Sequence, residues 1–197
     1  MYRALNLVIP ELQAFNPLTF ETLGGGHCFF HAISNAFYSS YRTETLNGRY
    51  ISRQDIVRKL RNELAEKLTE IDPETGLSYY EGIANGNLAS LGKELEEFSL
   101  VGTTRHLQSN EPVGDMMVAF VSKILHKDIY IIDGAKGDVY HLPDVPKGCN
   151  PSVVVHYSGG HYEMVGLCSD GSFSTYFTAD HPFIVALRNR LLSFKKD

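Results

Sequence analysis

The feature that most constrains this fold is a change of period two-thirds of the way along the chain. Up to about residue 126, apolar residues recur every three or four positions. Beyond it come short β-branched and aromatic runs, "DIYIID", "DVYHL", "SVVVHY" and "HYEMVGL", separated by Gly, Pro and Asp. A period near 3.6 buries one face of a helix, and short runs of this composition bounded by turn residues make strands. Helices first and strands afterwards predict an α+β domain with one small, mainly antiparallel sheet, not alternating βαβ units.

The helical part can be subdivided. In "GGGHCFFHAISNAFY" (24–38) three glycines precede a helix whose apolar face is Phe29, Phe30, Ile33, Ala36 and Phe37. "SRQDIVRKLRNELAEKL" opens with Ser52 and Asp55 as a capping pair and carries Ile56, Leu60, Leu64 and Leu68 at every fourth position. Residues 71–110 read as shorter helices broken by Gly and Asn, among them "LASLGKELEEF". "EPVGDMMVAFVSKILHKD" predicts a helix opening near Pro112 and presenting Met117, Phe120, Val121 and Ile124. The tail predicts a last helix over about 181–194, with Asp180 as cap, Pro182 in the first turn, and Phe183, Leu187, Leu191 and Phe194 lining the face that docks it.

Composition bounds the function. The 197 residues, 43% of them hydrophobic, suffice for one domain, 1–197, with its own core. A net charge of −5 with dispersed Lys and Arg is not the basic face of a nucleic-acid binder. Three cysteines, Cys28, Cys149 and Cys168, predict reduced thiols and a cytoplasmic setting, or delivery into a host cytosol as an effector. The opening "MYRALNLVIPELQAF" lacks a signal-peptide pattern, and no stretch reaches the length of a membrane span.

The chemistry centres on Cys28. A thiol where a helix begins meets the positive end of the macrodipole, which favours thiolate. The glycine loop, with the amide of Cys28, can turn N–H groups toward a developing oxyanion. The alternative is a small buried residue after a plain turn. A nucleophilic cysteine needs a histidine base and an orienting group. "VVVHYSGGHYEMVGL" reads as two strands joined at "SGG", and alternation puts His161 and Glu163 on one face of the second. His156 has Ser158 in the corresponding place and reads as a solvent-facing or core-edge histidine; Cys149 reads as a loop thiol and Cys168 as a buried one at a strand end. A rival reading takes His27, Cys28 and His31 as metal ligands, but no fourth ligand has conventional spacing. "GGGH" has no following Lys-Ser/Thr to cradle a phosphate.

These segments resemble the ovarian-tumour (OTU) cysteine proteases. "GGHCFFHAI" is similar to their D-G-x-C-x-F-x-x-[IL] segment, "GGHYEMV" to H-Y-[ND]-x-[IV], and "VGDMMVAFVSKILHKDIYIID" to the helix-then-strand segment between them, in family order over about 20–168. The resemblance implies a papain-type fold with the sheet between helical layers, no cofactor and no metal. It implies a monomeric deubiquitinase that binds ubiquitin or polyubiquitin and hydrolyses the Gly–Lys isopeptide bond. By position, Cys28 is then the nucleophile, His161 the base and Glu163 its orienting acid. Gly25, Gly26, His27 and Gly160 belong to the loops that face the oxyanion and the ubiquitin tail, together with the amide of Cys28. The sequence departs from the pattern at Gly25, where the family has Asp, and at Glu163, where Asn or Asp is usual. The alternatives are a weak or inactive ubiquitin-binding module of the same fold, or a protease for another ubiquitin-like modifier.

Overall fold

The computed structural model describes residues 2–83, 99–141, 148–169 and 171–194. The expected helix in "LASLGKELEEF" (88–98) lies outside them.

The main sheet runs β1 (Tyr2–Ala4), β2 (Leu18–Phe20), β8 (His161–Ser169), β7 (Ser152–Ser158), β5 (Asp128–Asp133), β6 (Asp138–Tyr140). All of these neighbours are antiparallel except β5 and β7, which are parallel. The fold class is therefore as expected, α+β with a mainly antiparallel sheet. Its β2 and β1 edge is built by strands of three residues, too short for alternation to register. The short β9 (Ser172–Ser174) adds to the end of β8, and β10 (Tyr176–Phe177) to the start of β7. A separate hairpin joins β3 (Thr45–Leu46) to β4 (Arg49–Tyr50).

Central strands buried on both faces separate two apolar clusters. On one side, α2 (Cys28–Phe37), α4 (Arg53–Lys67) and α6 (Asp115–Leu125) pack on Ile129, Ile131, Val153, Val155, Tyr162 and Met164. On the other, α7 (Pro182–Phe194) and α1 (Pro10–Gln13) cover Tyr130, Ile132, Val154, Val165 and Leu167. The smaller α3 (Ser39–Thr43) follows α2, and α5 (Leu100–Gln108) lies against α4.

The helices follow from their sequences. The Ser52 hydroxyl accepts from the Asp55 amide at 3.1 Å and donates to its carboxylate at 2.7 Å, stopping the chain in an N-cap. From there Ile56, Leu60, Leu64 and Leu68 all turn inward. In α7, Phe183, Ile184 and Leu187 are fully buried. The helix α6 begins at Asp115, three residues later than Pro112, with Gly114 as its N-cap; the carbonyl of Pro112 meets the His106 ring at 2.8 Å. Among the described residues, no helix is long and apolar enough to cross a membrane.

Candidate active site

Cys28 is the first residue of α2 and is buried. The loop before it explains two of its glycines separately. Gly25 has φ +87°, a backbone state that the Asp of the resembled pattern would adopt only under strain. At Gly26 a Cβ would fall 1.7 Å from the carbonyl oxygen of Asn110, so the loop packs against the 110–111 backbone with no room for a side chain. Gly24 and Gly25 are exposed, with nothing within 4 Å of an added Cβ.

That packing is secured by Arg61, whose side chain sits among the most buried of the described residues. Its guanidinium donates to the carbonyls of Leu107 (2.6 Å), His106 (2.8 Å), Glu111 (3.1 and 3.2 Å) and Gly26 (3.3 Å), and to Nδ1 of His27 (3.0 Å). The His27 contact completes the set and fixes that ring's tautomer. Arg61 has no proton-accepting state, so Nδ1 accepts, and Nε2–H donates to Asn110 Oδ1 at 2.7 Å. Burial lowers the His27 pKa below its ordinary value, the Asn110 bond opposing and the Arg61 charge adding to it. His27 therefore serves as a neutral brace for the loop. It is the N-cap residue of α2, yet its side chain makes no capping bond.

His31, one turn further on, is held by Tyr41, its Nδ1 lying 2.8 Å from the phenol oxygen. Both nitrogens of His27 and one of His31 are thus engaged, and among the described residues no group of three His, Cys, Asp or Glu is placed to hold a metal. Burial, followed by the His27 and Arg53 charges, lowers the His31 pKa to about 4. An unfolded histidine titrates near ~6.5, so from there down to about pH 4 the unfolded chain binds a proton that the folded one refuses. The stability this group contributes is complete above pH ~6.5 and is lost as acid carries the pH down to about 4. The loss is on the order of 3 kcal/mol at most. Urea midpoints between pH 7 and 4 test this: His31→Gln should flatten the acid decline, and an equal slope in both proteins would place its origin elsewhere.

The other half of the site is the β7–β8 hairpin. Gly159 (φ +59°) and Gly160 (φ +83°) form its two-residue turn, the paired left-handed geometry that matches strand twist. Ser158 and His161 face each other across it. The hairpin expected at "SGG" is present, and both glycines are exposed with open space above them.

Two contacts bring this hairpin to the thiol segment. Six residues before Cys28, the Thr22 hydroxyl lies 3.3 Å from Nε2 of His161. One residue after it, the Phe29 ring packs on Tyr162 with centroids 5.3 Å apart. Cys28 is bracketed between them. The anchor is β2, paired to β8 through Phe20 and Met164, which carries Thr22 to the Tyr162 carbonyl; the hydroxyl donates there at 2.5 Å.

Not every expected partner meets. Glu163 shares His161's side of β8, but both its oxygens accept from Nη2 of Arg3, each at 2.8 Å. It is 5% exposed and lies across the strand pair from His156. The amide of Cys28, expected to face an oxyanion, donates to the Gly25 carbonyl at 3.1 Å. His156 is a core-edge histidine against Gly134, its pKa lowered by burial while Glu163 pulls the other way. Cys149 is exposed, as expected of a loop thiol; Cys168 is also exposed, not buried: the end of β8 runs past β7 and, among the described residues, pairs there only with β9.

Sequence reasoning missed Thr22, Arg3 and Arg61. For Arg61 a signal existed: it stands four residues after Val57 and three before Leu64, a charge on the buried stripe of α4. Thr22 and Arg3 sit in or beside three-residue strands and carry no such mark.

No protein-family profile and no curated protein matches the chain. Solved structures do. An ovarian-tumour domain in complex with ubiquitin superposes with a TM-score of 0.59 at 15% identity, covering 98% of this chain and 90% of that one. The OTU domain of OTUD1 gives 0.51 at 16% identity, covering 79% and 89%. What these share with the present chain is the fold.

Proposed function

From a chain with the ovarian-tumour-domain fold, we infer a cysteine-type deubiquitinase that hydrolyses the isopeptide bond between the C-terminal glycine of ubiquitin and a lysine. The observation that carries this reading is the pairing of two segments distant in sequence, the N-terminus of α2 bearing Cys28 and the start of β8 bearing His161.

In this reading His161 takes the Cys28 proton and the thiolate attacks the isopeptide carbonyl, placing charge on its oxygen. The tetrahedral intermediate collapses to a thioester as the lysine amine leaves with the proton from His161. His161 then deprotonates a water, which hydrolyses the thioester to a free C-terminal carboxylate and returns the thiol. The Cys28 amide would exchange its Gly25 partner for the oxyanion, a change that the open space around Gly25 permits. Gly24, Gly25, Gly159 and Gly160 leave the approach clear for a substrate tail that itself ends in glycines. Metal and cofactor play no part in this chemistry.

The test is intact mass after incubation with ubiquitin carrying a C-terminal electrophile. A single adduct, absent in Cys28→Ala, is expected. No adduct from folded protein would overturn the reading in favour of another modifier or a binding module; a probe built on a different ubiquitin-like tail separates those two.

A further inference from the structure

We propose that Thr22, and not Glu163, is the positioning residue that orients His161. The proposal rests on the reading of His161 as the base for Cys28. A hydroxyl has one proton and two lone pairs. Thr22 spends its proton on the Tyr162 carbonyl at 2.5 Å, so toward His161 Nε2, 3.3 Å away, it can only accept. The neutral imidazole must therefore carry its proton on Nε2 and keep its lone pair on Nδ1. That makes Nδ1 the nitrogen able to take a proton from a thiol.

The arrangement is built to stay. Thr22 is buried, its β-branched side chain is stiff about χ1, and β2 is locked to β8 two residues earlier. When His161 becomes an imidazolium, Nε2 still carries its hydrogen, so the Thr22 bond survives both halves of the cycle. Glu163 is committed elsewhere: both of its oxygens are held by Arg3, and that ion pair neutralises a carboxylate almost wholly removed from water. An orienting hydroxyl fixes direction without adding charge. Here the tasks that one acid would combine are divided, Thr22 aiming the ring and Glu163 with Arg3 fastening β1 to β8.

The experiment reads the ring directly. Long-range proton–nitrogen correlation spectra of histidine-labelled protein report which nitrogen of His161 is protonated, without substrate or turnover. The wild type should show the Nε2–H tautomer, and so should Glu163→Gln. Thr22→Val, which keeps the shape and removes the oxygen, should mix the tautomers and lower kcat for a ubiquitin conjugate about ten-fold with little change in KM. Thr22→Ser should restore both. An Nδ1–H tautomer in the wild type, or a tautomer that responds to Glu163→Gln and not to Thr22→Val, would overturn the proposal. Should Thr22→Val fail to fold, the wild type, Thr22→Ser and Glu163→Gln spectra still decide it. A correct tautomer in a protein that cleaves no ubiquitin conjugate would sink the deubiquitinase reading alone.

Discussion

Cys28→Ala should abolish hydrolysis of ubiquitin conjugates, a loss on the order of 10⁴-fold or more, while the protein stays folded. The size follows from the chemistry: without sulfur no thioester forms, and the remaining groups supply only binding and electrostatic help. The fold survives because alanine is a good first-turn helix residue and the space vacated is that of one sulfur, costing about 1 kcal/mol. Circular dichroism with a chain-cleavage assay checks both halves. Normal turnover by the variant would remove Cys28 from the reaction. His161→Ala should lower turnover almost as far, whereas His156→Ala should leave the chemistry in place, since that ring lies against Gly134 at the β5 side of the hairpin. An exchange of the two phenotypes would mean that the wrong imidazole had been assigned.

Arg61→Leu should be the most damaging substitution for stability. The arginine is pushed down only to about 10, chiefly by burial, so it is a full cation at neutral pH. No carboxylate forms an ion pair with it among the described residues; it is held by carbonyls and lies 4.6 Å over the Phe30 ring. Leucine would leave the buried carbonyl of Leu107 and the partly buried carbonyls of His106, Glu111 and Gly26 without their donor. The expected cost is about 3–5 kcal/mol, read as a fall in the urea midpoint. Arg61→Lys keeps the charge but lacks the planar fork, and should fall between. Because two of these contacts end on Gly26 and His27, labelling of Cys28 by the ubiquitin electrophile should slow in Arg61→Lys even where it is fully folded. A loss below about 1 kcal/mol in Arg61→Leu would show that water replaces the guanidinium.

How much of this was legible in the sequence depended on whether a feature repeats. The stripe of α4 and the apolar face of α2 are periodic, and periodicity survives folding because it records which side is dry. The central strands β5, β7 and β8, buried on both faces, were legible as continuous β-branched and aromatic runs. The Gly159–Gly160 turn was legible because glycine enters that backbone state at the least cost. Three-residue strands repeat nothing, so the β1–β2 edge was invisible, and with it Arg3 and Thr22. The same gap explains Glu163. Alternation correctly places it beside His161, but which group a carboxylate binds depends on the strands packed around it. Arg3 reaches it from β1, two strands away across β2 and at the far end of the chain. Cys168 shows the matching error: an apolar run was read to its last residue, although the sheet that would cover it ends earlier.

The pairing of β2 with β8 carries a consequence for the order in which the candidate site assembles. The β7–β8 hairpin closes over a two-residue turn, a local event that takes on the order of 1–10 μs. Thr22 reaches His161 only across 139 positions of chain. Loop-closure entropy must be met before that contact returns anything, so docking of the amino-terminal strands belongs to the slow, non-local phase of folding. In a refolding chain the Thr22–His161 contact is thus expected to form after the β7–β8 hairpin that carries the histidine.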